Sequence, residues 1–379
     1  MQIDQLLELW RPYHVIDLKG NIKHDNCIVT KATTADFFTL KDSIIFGSFD
    51  AMVINDVEED YLFYFLSLFF NKTFKNAICI ISSENKNIDD VIKYFSHHYK
   101  EIYYNDDFVV VCRIPYGFNN FEEFINEIST HTECATAICP TYKRPGLLAE
   151  TLVNFMEQTY RNKKMYVLND DWSGSITMPF KNQNIYIKNQ SERFSWLCDK
   201  FEYMRQWATG DIFYCWSDDD LYFPWRMSRA MKDHKKHHEL CIKHSHALFQ
   251  ANGQINLTHN NFECTASYKK EHFKNIPYDT LDNLTYELKY LSKTTLYNYD
   301  PEPYYCLVMR WSGVNYHVSG HGGTEESYKS YATYKCEYPN TLLFPHSYEI
   351  WKNMFYNNRV MDSKGIKLLE ILGPWLYYF

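Results

Sequence analysis

Three consecutive aspartates, Asp218, Asp219 and Asp220, are the residues of this sequence with the clearest chemical potential. They follow an apolar stretch at 211–216 that is typical of a buried strand, and an apolar-aromatic segment at 221–227 comes after them. Adjacent carboxylates repel one another, so a fold keeps them on a solvated surface or beside a cation. Mg²⁺ and Mn²⁺ are held by carboxylates together with phosphate oxygens. The run therefore predicts a divalent-metal site, with a solvated acidic turn as the alternative.

Polar and basic residues also follow a predicted strand at 135–139. Pro140, Thr141 and Arg144 lie between this strand and a predicted helix at 146–158. A strand that turns into a helix places backbone N–H groups at the carboxyl end of the strand, where open α/β sheets bind ligands. This segment is therefore a candidate for part of a ligand site.

A third polar segment follows the predicted strand at 165–168, which ends in Asn169, Asp170 and Asp171. Carboxylates at the end of a strand can accept hydrogen bonds from a nucleobase or a ribose. The three segments together predict a nucleotide cleft with a cation at its rim.

The elements that must position these residues alternate between strand and helix, which predicts a mostly parallel sheet covered by helices. In the first part of the chain the predicted strands are 51–54, 77–81 and 108–114, and the predicted helices are 58–70 and 88–98. A second α/β block begins at Ala135. The predicted organisation is an α/β accessory domain at 1–115, a linking helix at 116–134, an α/β domain at 135–330 and a C-terminal helical tail at 331–379.

The accessory domain resembles the later half of a class I methyltransferase-like sheet in the order of its elements. Residues 1–50 contain only two glycines, Gly20 and Gly47, and no G-x-G step. The glycine-rich cofactor loop of that family is therefore absent, and we interpret this domain as a degenerate Rossmann-like module for docking or support.

Composition narrows the class of protein. Of the 379 residues 18% are aromatic, and the net charge is −8. These values exclude a disordered chain and disfavour binding to nucleic acid through bulk charge alone. The 11 cysteines contain no C-x-x-C pair, which argues against a disulfide scaffold or a structural zinc site. The longest apolar run, at 61–70, is too short to span a bilayer, and no signal peptide is seen. We therefore expect a cytoplasmic protein.

Three motifs in order carry a family resemblance, at 137–145, 166–173 and 210–220. They are similar to the strand–Pro-Thr-Tyr-Asn-Arg opening, the strand–Asp-Asp-Gly-Ser step and the Gly-Asp…Asp-x-Asp (DXD) element of the inverting nucleotide-sugar glycosyltransferases with the GT-A fold. The chain resembles the family-2-type group of these enzymes over about 135–320. Each motif is weak singly, but three in the family's order at plausible spacings are specific.

The resemblance implies a role for individual residues. Pro140 and Thr141 would border the base and ribose, and Asp171 would hydrogen-bond the base. Asp218 would contact the ribose or the metal. The remaining candidates are Asp219, Asp220 and His317 for Mn²⁺ or Mg²⁺, with His321 as second choice to His317, and Arg144, Arg193 and Arg310 for the nucleotide and its phosphates.

The implied reaction breaks a sugar–diphosphate bond. A divalent cation would stabilise the negative charge that develops on the leaving phosphate, and a single inverting displacement also needs a carboxylate as general base. The candidates for this base are Asp282 and Glu287, although a helix cap and a solvated helix residue are their ordinary interpretations.

The predicted function is metal-dependent transfer of a sugar from a nucleoside diphosphate donor, most often UDP in this group, to a hydroxyl acceptor. The acceptor would be a glycan or another hydroxyl, with a hydroxylated DNA base as a further option. Two alternatives stay open at this point: a catalytically inactive nucleotide-sugar-binding protein and a nucleotidyltransferase-like enzyme.

Overall fold

The computed structural model describes residues 2–274, with internal gaps of which the longest are 37–47, 83–92 and 94–100, and residues 306–311. The chain divides into two compact units. The first comprises Met1–Thr132 and two short later segments, Thr159–Asn162 and Pro179–Asn184, and the second holds the remainder. Each unit contains a six-stranded, mainly parallel sheet, which confirms the predicted α/β class. The predicted tail at 331–379 lies outside the described residues.

The sheet of the first unit is built from six short strands. They are β1 (His14–Leu18), β2 (Ile28–Ala32), β3 (Ala51–Ile54), β4 (Ile78–Ser82), β5 (Glu101–Tyr104) and β6 (Phe108–Cys112). Their order across the sheet is β2-β1-β3-β4-β6-β5. The first four in that order are parallel, and β6 is antiparallel to both β4 and β5. The strands β3 and β6 are buried along their whole length, because helices cover both faces of the sheet.

Three helices with described bounds pack on this sheet: α1 (Ile3–Trp10), α2 (Glu59–Lys72) and α3 (Phe121–Ser129). One core contains Leu62, Phe65 and Leu66 of α2. The core on the other side joins α1 and α3 through residues such as Trp10 and Phe124. The helix within the predicted linker 116–134 is thus amphipathic and buries its apolar face in the first unit.

The main sheet of the second unit also has six strands. They are β7 (Ala135–Thr141), β8 (Lys163–Asn169), β9 (Ile185–Asn189), β10 (Ile212–Cys215), β12 (Cys241–Lys243) and β15 (Ala266–Lys269). Their order is β12-β15-β10-β7-β8-β9. The strands β10, β7, β8 and β9 are parallel, while β15 runs antiparallel to β10 and β12.

The order of the strands in this sheet reverses between β7 and β10, since β8 and β9 extend the sheet on one side of β7 and β10 lies on the other. Open α/β sheets bind ligands at such a switch point, beyond the carboxyl ends of the strands. The topology of the second unit therefore indicates where a ligand site would lie.

A smaller sheet in the same unit contains β11 (Leu221–Tyr222), β13 (Ala247–Ala251), β14 (Gln254–Thr258) and β16 (Leu307–Trp311), in the order β11-β16-β13-β14. The helices among the described residues of this unit are α4 (Pro145–Met156), α5 (Leu197–Trp207), α6 (Arg226–His237) and α7 (Lys270–Lys274). Phe201 and Met204 of α5 pack on Ile138, Tyr166 and Phe213 of the main sheet. This packing fixes α5 against the strands whose ends carry the predicted site.

Gly210 makes the close approach that starts β10. Its φ is +157°, and a Cβ atom added there would lie 1.9 Å from Oγ1 of Thr136. The Thr136 hydroxyl also donates to the carbonyl of Thr209 at 2.9 Å. The glycine therefore allows the turn at 209–210 to press against β7, which sets β10 beside it.

Candidate active site

The ends of β7 and β10 meet through a hydrogen bond between side chains. Oγ1 of Thr141, the last residue of β7, donates to Oδ2 of Asp218 at 2.7 Å. Both residues are buried. Because the strand order reverses between these two strands, the contact lies at the switch point where a nucleotide would bind. Two of the predicted donor-binding residues, Thr141 and Asp218, are therefore brought together.

The aspartates 218–220 are buried, with relative exposures of 2%, 5% and 2%. A solvated acidic turn would be exposed, so this alternative from the sequence is wrong. Carboxylates withdrawn from water need charged or hydrogen-bonding partners, because burial penalises their charged form. Thr141 supplies one such partner to Asp218, and a cation at this segment stays a prediction.

Helix α4 and Tyr222 brace the backbone of the acidic run. Thr151 Oγ1 donates to the carbonyl oxygens of Ser217 and Asp220 at 3.2 and 3.3 Å. Asn154 Oδ1 accepts from the amide of Tyr222 at 2.8 Å. The amide of Ser217 donates to the Tyr222 hydroxyl at 2.7 Å. Burial, and then the charge of Asp220, raise the pKa of Tyr222 well above its usual value, so its phenol stays protonated.

The end of β8 is held by amide side chains. Asn169 Nδ2 donates to the carbonyl of Gly174 and to Oδ1 of Asn189, both at 2.9 Å. Asn169 Oδ1 accepts from the amide of Asp171 at 3.2 Å. Asp171 is half-buried, whereas Asp170 is 3% exposed. Of the two carboxylates, Asp171 is therefore the one that remains accessible to a ligand, in keeping with its predicted contact to the base.

A buried lysine that the sequence analysis does not identify lies between β7 and β8. Lys200 Nζ donates to Asp170 Oδ1 at 2.5 Å and to the carbonyl oxygen of Thr141 at 2.6 Å. The other oxygen of Asp170 accepts from the amide of Phe194 at 3.1 Å. The sequence signal for Lys200 is weak, because a lysine on a helix is usually exposed. Only the structure shows that it points into the sheet edge.

Arg193 and Tyr142 form a cation–π pair next to this edge. The guanidinium carbon of Arg193 lies 4.2 Å from the centre of the Tyr142 ring, and Lys143 Nζ lies 5.3 Å from the same ring. Tyr142 directly follows Thr141, and Arg193 is exposed. The predicted phosphate or base contact Arg193 thus lies beside the end of β7.

The remaining predicted residues are placed only in part. Pro140 lies in β7, half-buried, opposite Leu168 of β8. Arg310 lies in β16, but its side chain is outside the described residues, as are Arg144, Asp282, Glu287, His317 and His321. Within the described residues no group of three or more His, Cys, Asp or Glu side chains is arranged to hold a metal ion. A cation bound by Asp219 and Asp220 would therefore need ligands from elsewhere, such as the oxygens of a diphosphate.

The described part of the chain contains no helix with the length and apolar character needed to cross a membrane.

Solved structures similar to this chain include those of S. aureus TarS. The structure of TarS 1-349 in complex with UDP-GlcNAc has 12% identity and a TM-score of 0.38, over 64% of this chain and 81% of that one. The complex with UDP has 12% identity and a TM-score of 0.37, over 63% and 79%. The structures of TarS 1-349 and of TarS without a named ligand are matched over only 60% and 37% of their lengths.

No curated protein matches the chain. The family model that does match is described as glycosyl transferase family 2, and it covers residues 136–294. This segment contains the three sequence motifs and the switch point of the second sheet, so the expected family resemblance is confirmed. The model covers none of residues 1–115, where the methyltransferase resemblance stays a prediction. The chain is thus similar to glycosyl transferase family 2 over residues 136–294, which is less than half of its length.

Proposed function

We propose that this chain transfers a sugar from a UDP-sugar to a hydroxyl acceptor by a single inverting displacement that depends on a divalent cation. The observation that carries this proposal is the contact of Thr141 with Asp218 at the switch point, beside buried Asp219 and Asp220. This is the edge at which open α/β sheets bind nucleotides. It also concentrates the carboxylates that a nucleotide sugar requires for its ribose and for a metal ion.

The donor would lie along the ends of β7, β8 and β10. The half-buried carboxylate of Asp171 would accept a hydrogen bond from the N–H of a uracil, while Pro140 and Thr141 border the base and ribose. Asp218 would accept from a ribose hydroxyl. The exposed cation of Arg193 would attract the diphosphate, since guanidinium groups bind phosphate oxygens in a fork of two hydrogen bonds.

Asp219 and Asp220 fit the ligand class of Mn²⁺ or Mg²⁺, which take one or two carboxylates and complete their coordination with substrate phosphates and water. When bound, the ion would act as a Lewis acid that neutralises charge on the departing diphosphate. The residues of this chain have the remaining tasks: to bind the base and ribose, to fix the diphosphate and to exclude water. The proton of the acceptor hydroxyl would pass to Asp282 or Glu287, which remain the proposed general bases.

Calorimetric titration of the full chain with UDP, GDP and dTDP, each with and without Mn²⁺, tests the donor and the cation. We expect UDP to bind at least tenfold more tightly with Mn²⁺ than without it, and more tightly than GDP or dTDP. Absence of binding by all three nucleotides would contradict the proposal. A panel of UDP-sugars, with UDP-GlcNAc as its first member, then tests turnover by mass-detected hydrolysis. NMR of the glycoside formed with a hydroxyl acceptor tests inversion through the anomeric configuration.

A further inference from the structure

Lys200 is a buried cation inside the edge that carries the proposed donor site. It is the fourth residue of α5, and it is 4% exposed. Its ammonium group reaches Asp170 at the end of β8 and the carbonyl of Thr141 at the end of β7. A buried ammonium group is stable only when its N–H groups donate to acceptors and its charge is paired. The two contacts therefore tie the start of α5 to the ends of β8 and β7.

The contacts of Lys200 continue to a donor-binding residue. Thr141 is held at both of its polar ends, because its carbonyl accepts from Lys200 while its hydroxyl donates to Asp218. On the other side, Asp170 accepts from the amide of Phe194, in the segment that carries Arg193. A continuous polar chain thus runs from the segment before α5, through Asp170, Lys200 and Thr141, to the acidic run after β10.

The charge of Lys200 also acts on the acids around it. Asp170 and Asp171 follow β8, and the aspartates 218–220 follow β10, so five carboxylates gather at one sheet edge. Their mutual repulsion opposes a close approach of the strand ends. The ammonium group of Lys200 is buried inside this edge. Its electric field is screened less there than it would be in water.

We propose that Lys200 is a positioning residue for the nucleotide: it holds the end of β7 so that Thr141 and Asp218 present one prearranged surface to the donor. The inference rests on the proposed function, because the surface is that of the donor site. Lys200 itself need not touch the donor. It acts through Thr141, and its loss lowers donor affinity by letting the end of β7 move.

The test compares Lys200→Met with the double variant Lys200→Met/Asp170→Asn in the full chain. The single variant leaves a buried carboxylate without its cation, and we expect it to unfold at a lower temperature or fail to fold. The double variant removes both charges, and the amide oxygen of the introduced asparagine can still accept from the amide of Phe194. We expect the double variant to regain the wild-type unfolding temperature, while its Kd for UDP stays at least tenfold weaker. Wild-type affinity for UDP in the double variant, or in a folded Lys200→Met protein, overturns the inference.

A second measurement needs no ligand and separates this inference from the proposed function. If the wild-type protein binds no nucleotide, the proposed function is contradicted. The polar chain can still be tested by thermal unfolding. Asp218→Asn is introduced into the wild type and into Lys200→Met/Asp170→Asn. We expect the substitution to lower the unfolding temperature less in the second background, where Thr141 is no longer held. Equal shifts in both backgrounds overturn the coupling of Lys200 to Asp218, whatever the ligand.

Discussion

Thr141 and Asp218 are 77 positions apart in the chain, yet their side chains share a hydrogen bond of 2.7 Å at the reversal of strand order in the second sheet. Each belongs to a different sequence motif, so the contact joins the first motif to the third. The pairing follows from topology: β7 and β10 are parallel neighbours, and their carboxyl ends lie at the same edge. This contact is the geometric basis for a donor site between the two motifs.

Replacing Thr141 with valine should weaken both the fold and the nucleotide site. The substitution keeps the shape of the side chain but removes a buried donor to the carboxylate of Asp218. Hydrogen bonds to charged groups contribute about 1.5–3 kcal/mol, so we expect a loss of this size in the free energy of unfolding by denaturant. UDP affinity should fall about tenfold. Ser191→Ala, at an exposed position, is the control. Unchanged stability in Thr141→Val would show that the contact contributes little.

Replacing Gly210 with alanine should destabilise the second unit. The new Cβ would meet Oγ1 of Thr136 at 1.9 Å and the carbonyl of Cys134 at 3.2 Å, so the turn must move. Forcing an extra carbon into a packed region costs about 1–3 kcal/mol. Thermal unfolding measures the effect. The double variant Gly210→Ala/Thr136→Ala removes the nearest clash, and it should recover part of the loss. A double variant no more stable than the single one would place the strain in the backbone instead.

The second sheet was predictable in outline because its strands are short apolar runs that end in polar turns. Sequence patterns place strands at 135–139 and 165–168, and the structure has them at Ala135–Thr141 and Lys163–Asn169. The helix predicted at 146–158 is observed at Pro145–Met156. The spacing of apolar residues is sufficient to predict such elements, because burial on one or both faces determines that spacing.

Contacts between distant segments could not be predicted in the same way. Lys200 lies on a helix, where a lysine is usually exposed. Its burial follows from the packing of α5 on the sheet, which brings it to Asp170, 30 positions earlier. Arg226 is a second example: it is fully buried and donates to the carbonyls of Cys264 and Ala266. In both cases the partner is set by strand order, which a single sequence does not encode locally.

Stability should decline below neutral pH because of His234. Its Nδ1 donates to the carbonyl of Glu239 at 3.1 Å, and its Nε2 accepts from Ser267 at 2.9 Å. Burial lowers the pKa of His234 to about 4, mainly because the charged form is desolvated. The unfolded chain titrates at about 6.5, so it binds the proton first, and stability present above pH 6.5 is lost as the pH falls toward 4.

The titration of His234 changes the free energy of unfolding by at most about 1.4 kcal/mol per pH unit. Urea unfolding at pH 7, 6, 5 and 4.5 measures it. His234→Gln keeps a donor and an acceptor but does not titrate, so its slope over this range should be smaller by up to that amount. Equal slopes in the two proteins would assign the pH dependence to other groups.

Replacing Asp219 or Asp220 with alanine should abolish the effect of Mn²⁺ on donor binding. We expect the tenfold or larger gain in UDP affinity on addition of Mn²⁺ to disappear in both variants, because each loses a carboxylate proposed to bind the ion. Circular dichroism should show a folded chain, because Thr151, Asn154 and Tyr222 still brace the backbone of this segment. Asp199→Asn removes a charge from α5 outside the proposed metal site and serves as the matched control. If Asp219→Ala and Asp220→Ala both keep the full Mn²⁺ effect, the cation is bound elsewhere, and burial of the acidic run has a purely structural cause.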